Sequence, residues 1–146
     1  ALREGRDPTL VGRLSSGLAV FGERQFLRGY CLLLPDPVVP HLNDFDSLAR
    51  AQFLADMAAL GDALLAETGA LRINYAMFGN MEPALHAHLV PRYADEKAPL
   101  DVAHPWAYDW AAAPAFDPVT FETLRAALRR RLSPLLRSAG AGLSST

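Results

Sequence analysis

Two histidines separated by a single residue, His86 and His88, are the part of the sequence best suited to chemistry. They lie in a run from Ala84 to Arg92 whose apolar residues predict a β-strand. Because side chains alternate along a strand, both imidazoles project from one face, roughly 6.5 to 7 Å apart along the chain. One neutral imidazole can attack a phosphorus atom, and a second, if protonated, can neutralise charge on the phosphoryl oxygens. The pair therefore predicts an anion site.

A turn before this strand can bring further polar groups to the two histidines. Gly79 and Asn80 lie in that turn and could direct backbone amides and a carboxamide toward the rings. Asn80 could also be an ordinary turn residue.

Two other interpretations of the histidine pair stay open. In-phase histidines on a strand also begin many metal sites, which need a third ligand and ordinarily a fourth. The other candidate ligands have no regular spacing along the chain, and they are Glu82, Asp95, His104 and His41. The two rings could equally be structural histidines that form hydrogen bonds within the fold.

The elements that must position the pair begin with short apolar segments separated by turns. A serine-serine-glycine turn follows the first segment, and three prolines between residues 35 and 40 end the third near Leu34. These segments predict an antiparallel meander of three strands, at Leu10–Leu14, Leu18–Phe21 and Gly29–Leu34.

Two helices and two more strands follow. Apolar residues at three- and four-residue spacing predict a helix over Ser47–Thr68, with Asp46 or the next serine as N-cap and Gly69 after the last turn. Alternation over Leu71–Phe78 predicts a half-buried strand. A second helix is predicted to begin at Asp117–Pro118, an N-cap followed by a first-turn proline. The pattern indicates an α+β protein of about five strands and two main helices.

Composition limits the class of protein. The 146 residues are 51% hydrophobic and 21% charged, which predicts one globular domain over residues 1–137, followed by a flexible tail over residues 138–146. A net charge of −2 gives no overall positive field for nucleic acid or an anionic membrane surface. A single cysteine and the lack of an apolar run of about 20 residues predict a cytoplasmic protein.

Four further side chains each admit two interpretations. Cys31 could be a nucleophile, but its place in an apolar run favours a buried core thiol. Trp106, Tyr108 and Trp110 could stack on a base or leaving group, while covering the sheet or a dimer seam is the alternative.

The segment Ile73–Tyr93 resembles the signature strand of the histidine triad (HIT) family, in which histidines alternate with apolar residues and Pro-Arg often follows. Upstream, Phe26–Pro35 resembles the glycine-led strand of that family, and the helix from Ser47 stands where the family has one. The resemblance covers about Leu18–Trp106. It is closest to bacterial HIT-like proteins grouped with diadenosine tetraphosphate hydrolases.

This resemblance implies a HIT-like antiparallel sheet with two main helices, paired as a homodimer. It implies attack on the α-phosphate of a dinucleoside polyphosphate or nucleoside phosphoramidate, through a covalent nucleotidyl-histidine. His86 matches the nucleophile and His88 the histidine that stabilises the phosphate, with Asn80, Asn74 and Gly79 as phosphate-binding candidates. Asn74 could equally bond a neighbouring loop or be an ordinary strand-end residue. The substrate would be a small nucleotide, no cofactor would be required, and a divalent cation would enter only as substrate counter-ion.

The sequence departs from the family pattern at two places. Ala84 stands where the family has its first histidine, although the family uses the backbone carbonyl there to fix the tautomer of the nucleophile, and alanine keeps that carbonyl. Val38 stands where relatives often have a histidine, and His41 is not an obvious substitute. The alternative to an enzyme is therefore a non-enzymatic or weakly active nucleotide-binding module.

Overall fold

The computed structural model describes residues 5–138, so the predicted tail lies outside the described residues except for its first residue. Within that range the chain forms one five-stranded sheet in the order β1-β2-β3-β5-β4, with antiparallel neighbours throughout. The strands are β1 (Leu10–Arg13), β2 (Gly17–Phe21), β3 (Cys31–Pro35), β4 (Arg72–Ala76) and β5 (Ala87–Arg92). The helices are α1 (Ser47–Thr68) and α2 (Glu122–Leu132), with short 3₁₀ turns at 42–44, 105–107 and 133–135. The predicted α+β architecture is confirmed.

Helix α1 begins and ends where its local signals predict. The Asp46 carboxylate accepts a hydrogen bond from the Ala49 N–H at 2.8 Å, which satisfies one of the free amides of the first turn. Gly69 ends the helix with φ of 73°, a left-handed conformation that favours glycine. Gly61 lets the helix approach the sheet, because a Cβ there would lie 2.0 Å from the Tyr75 hydroxyl.

Helix α2 begins at Glu122, so the predicted start at Asp117–Pro118 is wrong. The Asp117 carboxylate accepts hydrogen bonds from the Val119 N–H at 3.2 Å and from the Thr120 hydroxyl at 2.5 Å. The Glu122 N–H bonds the carbonyl of Val119, three residues back, rather than the carbonyl four residues back. Asp117 therefore caps a separate tight turn, and the regular helix starts only after it.

Strands β4 and β5 are shorter than predicted at the ends that face each other across the turn. The Leu85 N–H donates to the Val39 carbonyl at 2.7 Å, and the Ala84 N–H donates to Glu82 at 2.8 Å. These amides are engaged with loops, so β5 begins at Ala87 instead of Ala84. His86 consequently precedes the strand, and His88 lies within it.

The two faces of the sheet have different roles. Both helices pack on one face, where Phe53, Leu60, Leu64 and Leu128 are fully buried. Cys31 belongs to this core with no exposed surface, and burial raises the pKa of its thiol, which confirms the core interpretation. The opposite face carries the histidines. Across residues 5–138, no helix has the length and apolarity needed to span a membrane.

Candidate functional site

His86 is held by the backbone immediately before β5. Its Nδ1 lies 2.9 Å from the carbonyl oxygen of Ala84. A carbonyl only accepts hydrogen bonds, so Nδ1 must carry the proton and the lone pair of the neutral ring lies on Nε2. Ala84, which stands where the HIT pattern has its first histidine, thus fixes the tautomer of His86 through its carbonyl.

His88 is surrounded by aromatic rings. Its Nδ1 lies 2.7 Å from the Tyr30 hydroxyl, and the two rings stack with centroids 5.9 Å apart. Trp106 covers it edge-on, with a centroid distance of 4.9 Å and an interplanar angle of 88°. Burial, and then the charge of His86, lower the pKa of His88 to about 4. In the unliganded protein His88 is therefore neutral, and it can offer a phosphoryl oxygen an N–H rather than a positive charge.

The two imidazoles face the same space, as strand alternation predicts. Their ring centroids are 4.8 Å apart at an angle of 76°. They line a cavity of about 680 Å³ together with Gly79 and Asn80. The remaining lining residues are Phe78, Met81, Glu82, His104, Trp106 and Trp110. Four of the five predicted site residues are thus brought together.

Asn74 lies outside this cavity. Its Oδ1 accepts a hydrogen bond from Arg92 Nη1 at 2.8 Å, and it lines a neighbouring cavity of about 580 Å³. His41 also lies elsewhere, paired with Asp44 at 3.4 Å. Asn74 therefore bonds Arg92, a residue of β5, rather than a loop, and it is the Arg92 guanidinium that also holds the Ala103 carbonyl of the following loop.

A buried ion pair holds the loop that carries Trp106. Arg92 and Glu96 have side chains that are 6% and 4% exposed, and they meet at 2.9 Å. Burial opposes ionisation of Glu96, but hydrogen bonds from Arg92, from the Tyr108 hydroxyl and from the Tyr93 N–H outweigh it and lower the pKa of that carboxyl. This network fixes residues 93–108 over the open face of the sheet.

Sequence reasoning missed Tyr30 as a site residue. Tyr30 lies just before β3, and β3 pairs with β5 so that Leu32 stands opposite His88. The alternation of Tyr30 with Leu32 puts the tyrosine on the histidine face, but only the pairing of these two strands reveals it. Trp106 lies at the site, whereas Tyr108 is bonded to Glu96.

The acidic, histidine and cysteine side chains form no metal-binding cluster in the described part of the chain. Between residues 5 and 138, no three of them are grouped where they could hold one ion.

Solved structures share this arrangement of strands and helices. A histidine triad protein from Bradyrhizobium japonicum superposes with a TM-score of 0.72 at 24% identity, covering 84% of this chain and 88% of that one. A histidine triad (HIT) protein from Sinorhizobium meliloti gives a TM-score of 0.75 at 21% identity, covering 89% and 93%. The chain has the histidine triad fold.

A third similar structure also covers most of this chain. It is described as a hypothetical histidine triad nucleotide-binding protein from Sulfolobus tokodaii, with a TM-score of 0.67, 13% identity, and coverage of 94% and 91%. No family model and no curated protein matches the sequence. At these identities the likeness establishes the fold, and the chemistry must be argued from the site itself.

Proposed function

We propose that this chain is a nucleotide hydrolase or nucleotidyl transferase that attacks an α-phosphate through a covalent intermediate on His86. The observation that carries the proposal is the 2.9 Å contact between His86 Nδ1 and the Ala84 carbonyl. It leaves the lone pair of the neutral ring on Nε2, and the ring lines a cavity of about 680 Å³. A free lone pair beside a cavity is what a nitrogen nucleophile requires.

The reaction would proceed in two displacements at the same phosphorus. The lone pair of His86 Nε2 forms a P–N bond while the bond from phosphorus to the leaving group breaks, and the leaving group departs with that electron pair and takes up a proton from solvent. Water, or another hydroxyl acceptor, then attacks phosphorus and gives up its proton to solvent, while the P–N bond breaks and its electron pair returns to His86 Nε2. His88, Asn80 and the backbone at Gly79 would stabilise the phosphoryl oxygens during both steps.

The proposed substrate is a small nucleotide in which the α-phosphate bears a leaving group. The supporting observations are the histidine pattern that resembles the HIT signature and the nucleotide-binding description of the Sulfolobus tokodaii protein. Dinucleoside polyphosphates and nucleoside phosphoramidates belong to this class. The proposal includes a cytoplasmic location and no obligatory cofactor, with a divalent cation only as counter-ion of the substrate and no role for nucleic acid or membrane.

A homodimer is part of the proposal. Strand β4 lies at one edge of the sheet, and its outer side has no strand partner within residues 5–138. A second copy could pair there and make one continuous sheet, as the resemblance implies. Light scattering at micromolar concentration should give twice the mass of the chain, and a monomer would contradict this part.

A non-enzymatic nucleotide-binding module is the second candidate, and Ala84 favours it. A methyl group there contributes no imidazole to the phosphate or the leaving group. This candidate keeps the cavity and its anion-binding groups but performs the first displacement slowly or not at all.

Turnover of a nucleoside phosphoramidate by the purified protein separates the candidates. The enzyme should release nucleoside monophosphate, and an α-phosphate label should attach to the protein in acid-labile form. His86→Ala should reduce both signals to background, while His41→Ala, which alters an exposed histidine outside the cavity, should change neither. Binding of nucleoside monophosphate without turnover would favour the module, and activity lost on chelation together with a bound metal would overturn the metal-independent mechanism.

A further inference from the structure

Tyr30 makes a contact that the proposed mechanism does not yet use. The residue is 4% exposed, and its hydroxyl lies 2.7 Å from His88 Nδ1. Within residues 5–138 this nitrogen is the one acceptor that the hydroxyl reaches. The proton of a buried hydroxyl needs an acceptor, so the Tyr30 O–H donates and His88 Nδ1 accepts.

The ionisation states agree with that direction. Burial raises the pKa of Tyr30, so its hydroxyl keeps the proton. Burial also lowers the pKa of His88 to about 4, so at neutral pH its ring has a single N–H. If Nδ1 is the acceptor, that single proton must lie on Nε2.

The tyrosine is itself firmly placed. Its carbonyl accepts hydrogen bonds from the Gly22 N–H and from Gln25 Nε2, both at 2.9 Å. A Cβ at position 22 would lie 2.2 Å from the Tyr30 ring, so only glycine leaves room for the ring there. Trp110 packs edge-on against it with centroids 5.2 Å apart. The hydroxyl is therefore held at one position.

The two histidines then have opposite tautomers. His86 Nδ1 donates to the Ala84 carbonyl, whereas His88 Nδ1 accepts from Tyr30. Two rings only 4.8 Å apart thus present different groups on Nε2, a lone pair on His86 and an N–H on His88. The Ala84 carbonyl and the Tyr30 hydroxyl therefore set the two tautomers, so that one ring can act as a nucleophile and the other as a hydrogen-bond donor.

We propose that Tyr30 is a positioning residue that fixes His88 as the Nε2–H tautomer, so that His88 donates a hydrogen bond to a phosphoryl oxygen while His86 attacks phosphorus. The role of that donor rests on the proposed function. The tautomer itself does not, because it is a property of the unliganded chain.

Ring-nitrogen NMR of the unliganded full chain tests the tautomer directly. In the wild type, His88 should show a protonated Nε2 and an unprotonated Nδ1, and His86 the reverse. Tyr30→Phe should give His88 a mixture of both tautomers and leave His86 unchanged. Tyr93→Phe is the matched control, because it also removes one tyrosine hydroxyl, here an exposed one that donates to the Arg28 carbonyl away from the cavity. An Nδ1–H tautomer in the wild type, or an unchanged His88 in Tyr30→Phe, would overturn the proposal.

Kinetic measurements on the same variants test whether the His88 tautomer contributes to turnover. Tyr30→Phe should lower kcat about 10-fold, and His88→Gln about 100- to 1000-fold. In the His88→Gln background, Tyr30→Phe should have no further effect, because its partner is gone. Equal losses in both backgrounds would mean that Tyr30 does not act through His88. Failure of the wild type to turn over any phosphoramidate, with the expected NMR result, would count against the proposed enzyme and leave the tautomer assignment standing.

Discussion

Two segments line the cavity that contains His86 and His88, which we call the histidine cavity, and they are held in different ways. The first wall, residues 93–110, carries Trp106 and covers His88. The second wall, residues 77–86, carries Asn80 and leads into His86. Both are loops between regular elements on the same face of the sheet. They differ in how many hydrogen bonds hold them and in how deeply their side chains are buried.

The first wall is tied to the sheet by buried charge. The Arg92 guanidinium donates to Glu96, to the carbonyls of Leu100 and Ala103, and to Asn74, at distances from 2.7 to 3.1 Å. One strand residue thereby fixes several points of the loop at once.

The second wall has fewer anchors in the part of the chain that the structure describes. Its backbone bonds are those of Ala84 to Glu82 and of Leu85 to Val39. Met81 is fully exposed and Phe78 is 58% exposed. The second wall, which carries Asn80, thus has fewer contacts to hold it in one conformation than the first wall, which covers His88.

Breaking the buried ion pair that holds the first wall should lower the free energy of unfolding more than any other change predicted here. Arg92→Met leaves Glu96 as a buried carboxylate without its cationic partner, which typically costs about 3 to 5 kcal/mol of unfolding free energy. Urea unfolding followed by tryptophan fluorescence measures the loss. Arg131→Met is the matched control, because its pair with Glu67 is half exposed and should contribute less than about 1 kcal/mol. Equal losses in the two variants would mean that burial does not distinguish these ion pairs.

Because the first wall covers His88, the free energy of unfolding should depend on pH. The pKa of His88 is lowered from 6.5 to about 4 in the folded chain, so between these values the unfolded chain binds the extra proton. Stability from this group is complete above pH 6.5 and is lost as pH falls toward 4. Lowering the pH from 7.5 to 5 should remove up to about 2 kcal/mol.

The control for this pH effect is a pair of variants. His88→Gln should remove that part of the pH dependence, and Trp106→Ala should reduce it by admitting water to the ring. A wild-type pH profile that matches the profile of His88→Gln would show that His88 titrates normally in the folded chain.

Changing the second wall should affect binding rather than stability. Asn80→Ala removes a carboxamide from the cavity, so the Kd for nucleoside monophosphate should rise about 10-fold, as expected for one hydrogen bond to a charged group. The unfolding free energy should change by less than about 0.5 kcal/mol. Isothermal titration calorimetry and urea unfolding measure the two quantities. A stability loss as large as that of Arg92→Met would show that the second wall is tied as well.

Local signals in the sequence were sufficient where neighbouring residues decide the structure. The cap at Asp46 and the stop at Gly69 bound α1 as predicted, and alternation places His86 and His88 on one side. Asp117 shows the limit of such signals, because a good N-cap can serve a separate turn before the helix.

Contacts between distant segments could not be predicted in this way. Tyr30 and His88 are 58 residues apart, and they meet only because β3 pairs with β5. A single sequence does not reveal which strands pair, since alternation is the same for any neighbour. The buried pair of Arg92 with Glu96 was missed for another reason, since a charged residue after a proline gives no sign of burial.

The smallest expected effect separates the two asparagines. Asn74→Ala removes the Oδ1 acceptor of Arg92 Nη1, but that nitrogen keeps the Ala103 carbonyl at 2.7 Å, so the loss of stability should be about 1 kcal/mol. Because Asn74 lies outside the histidine cavity, the Kd for nucleoside monophosphate should change less than about 2-fold. Calorimetry on Asn74→Ala beside Asn80→Ala compares the two directly. If both variants weaken nucleotide binding equally, Asn74 contacts the phosphate as the family resemblance implies. Its role would then be in binding, and not in holding the Arg92 network of the first wall.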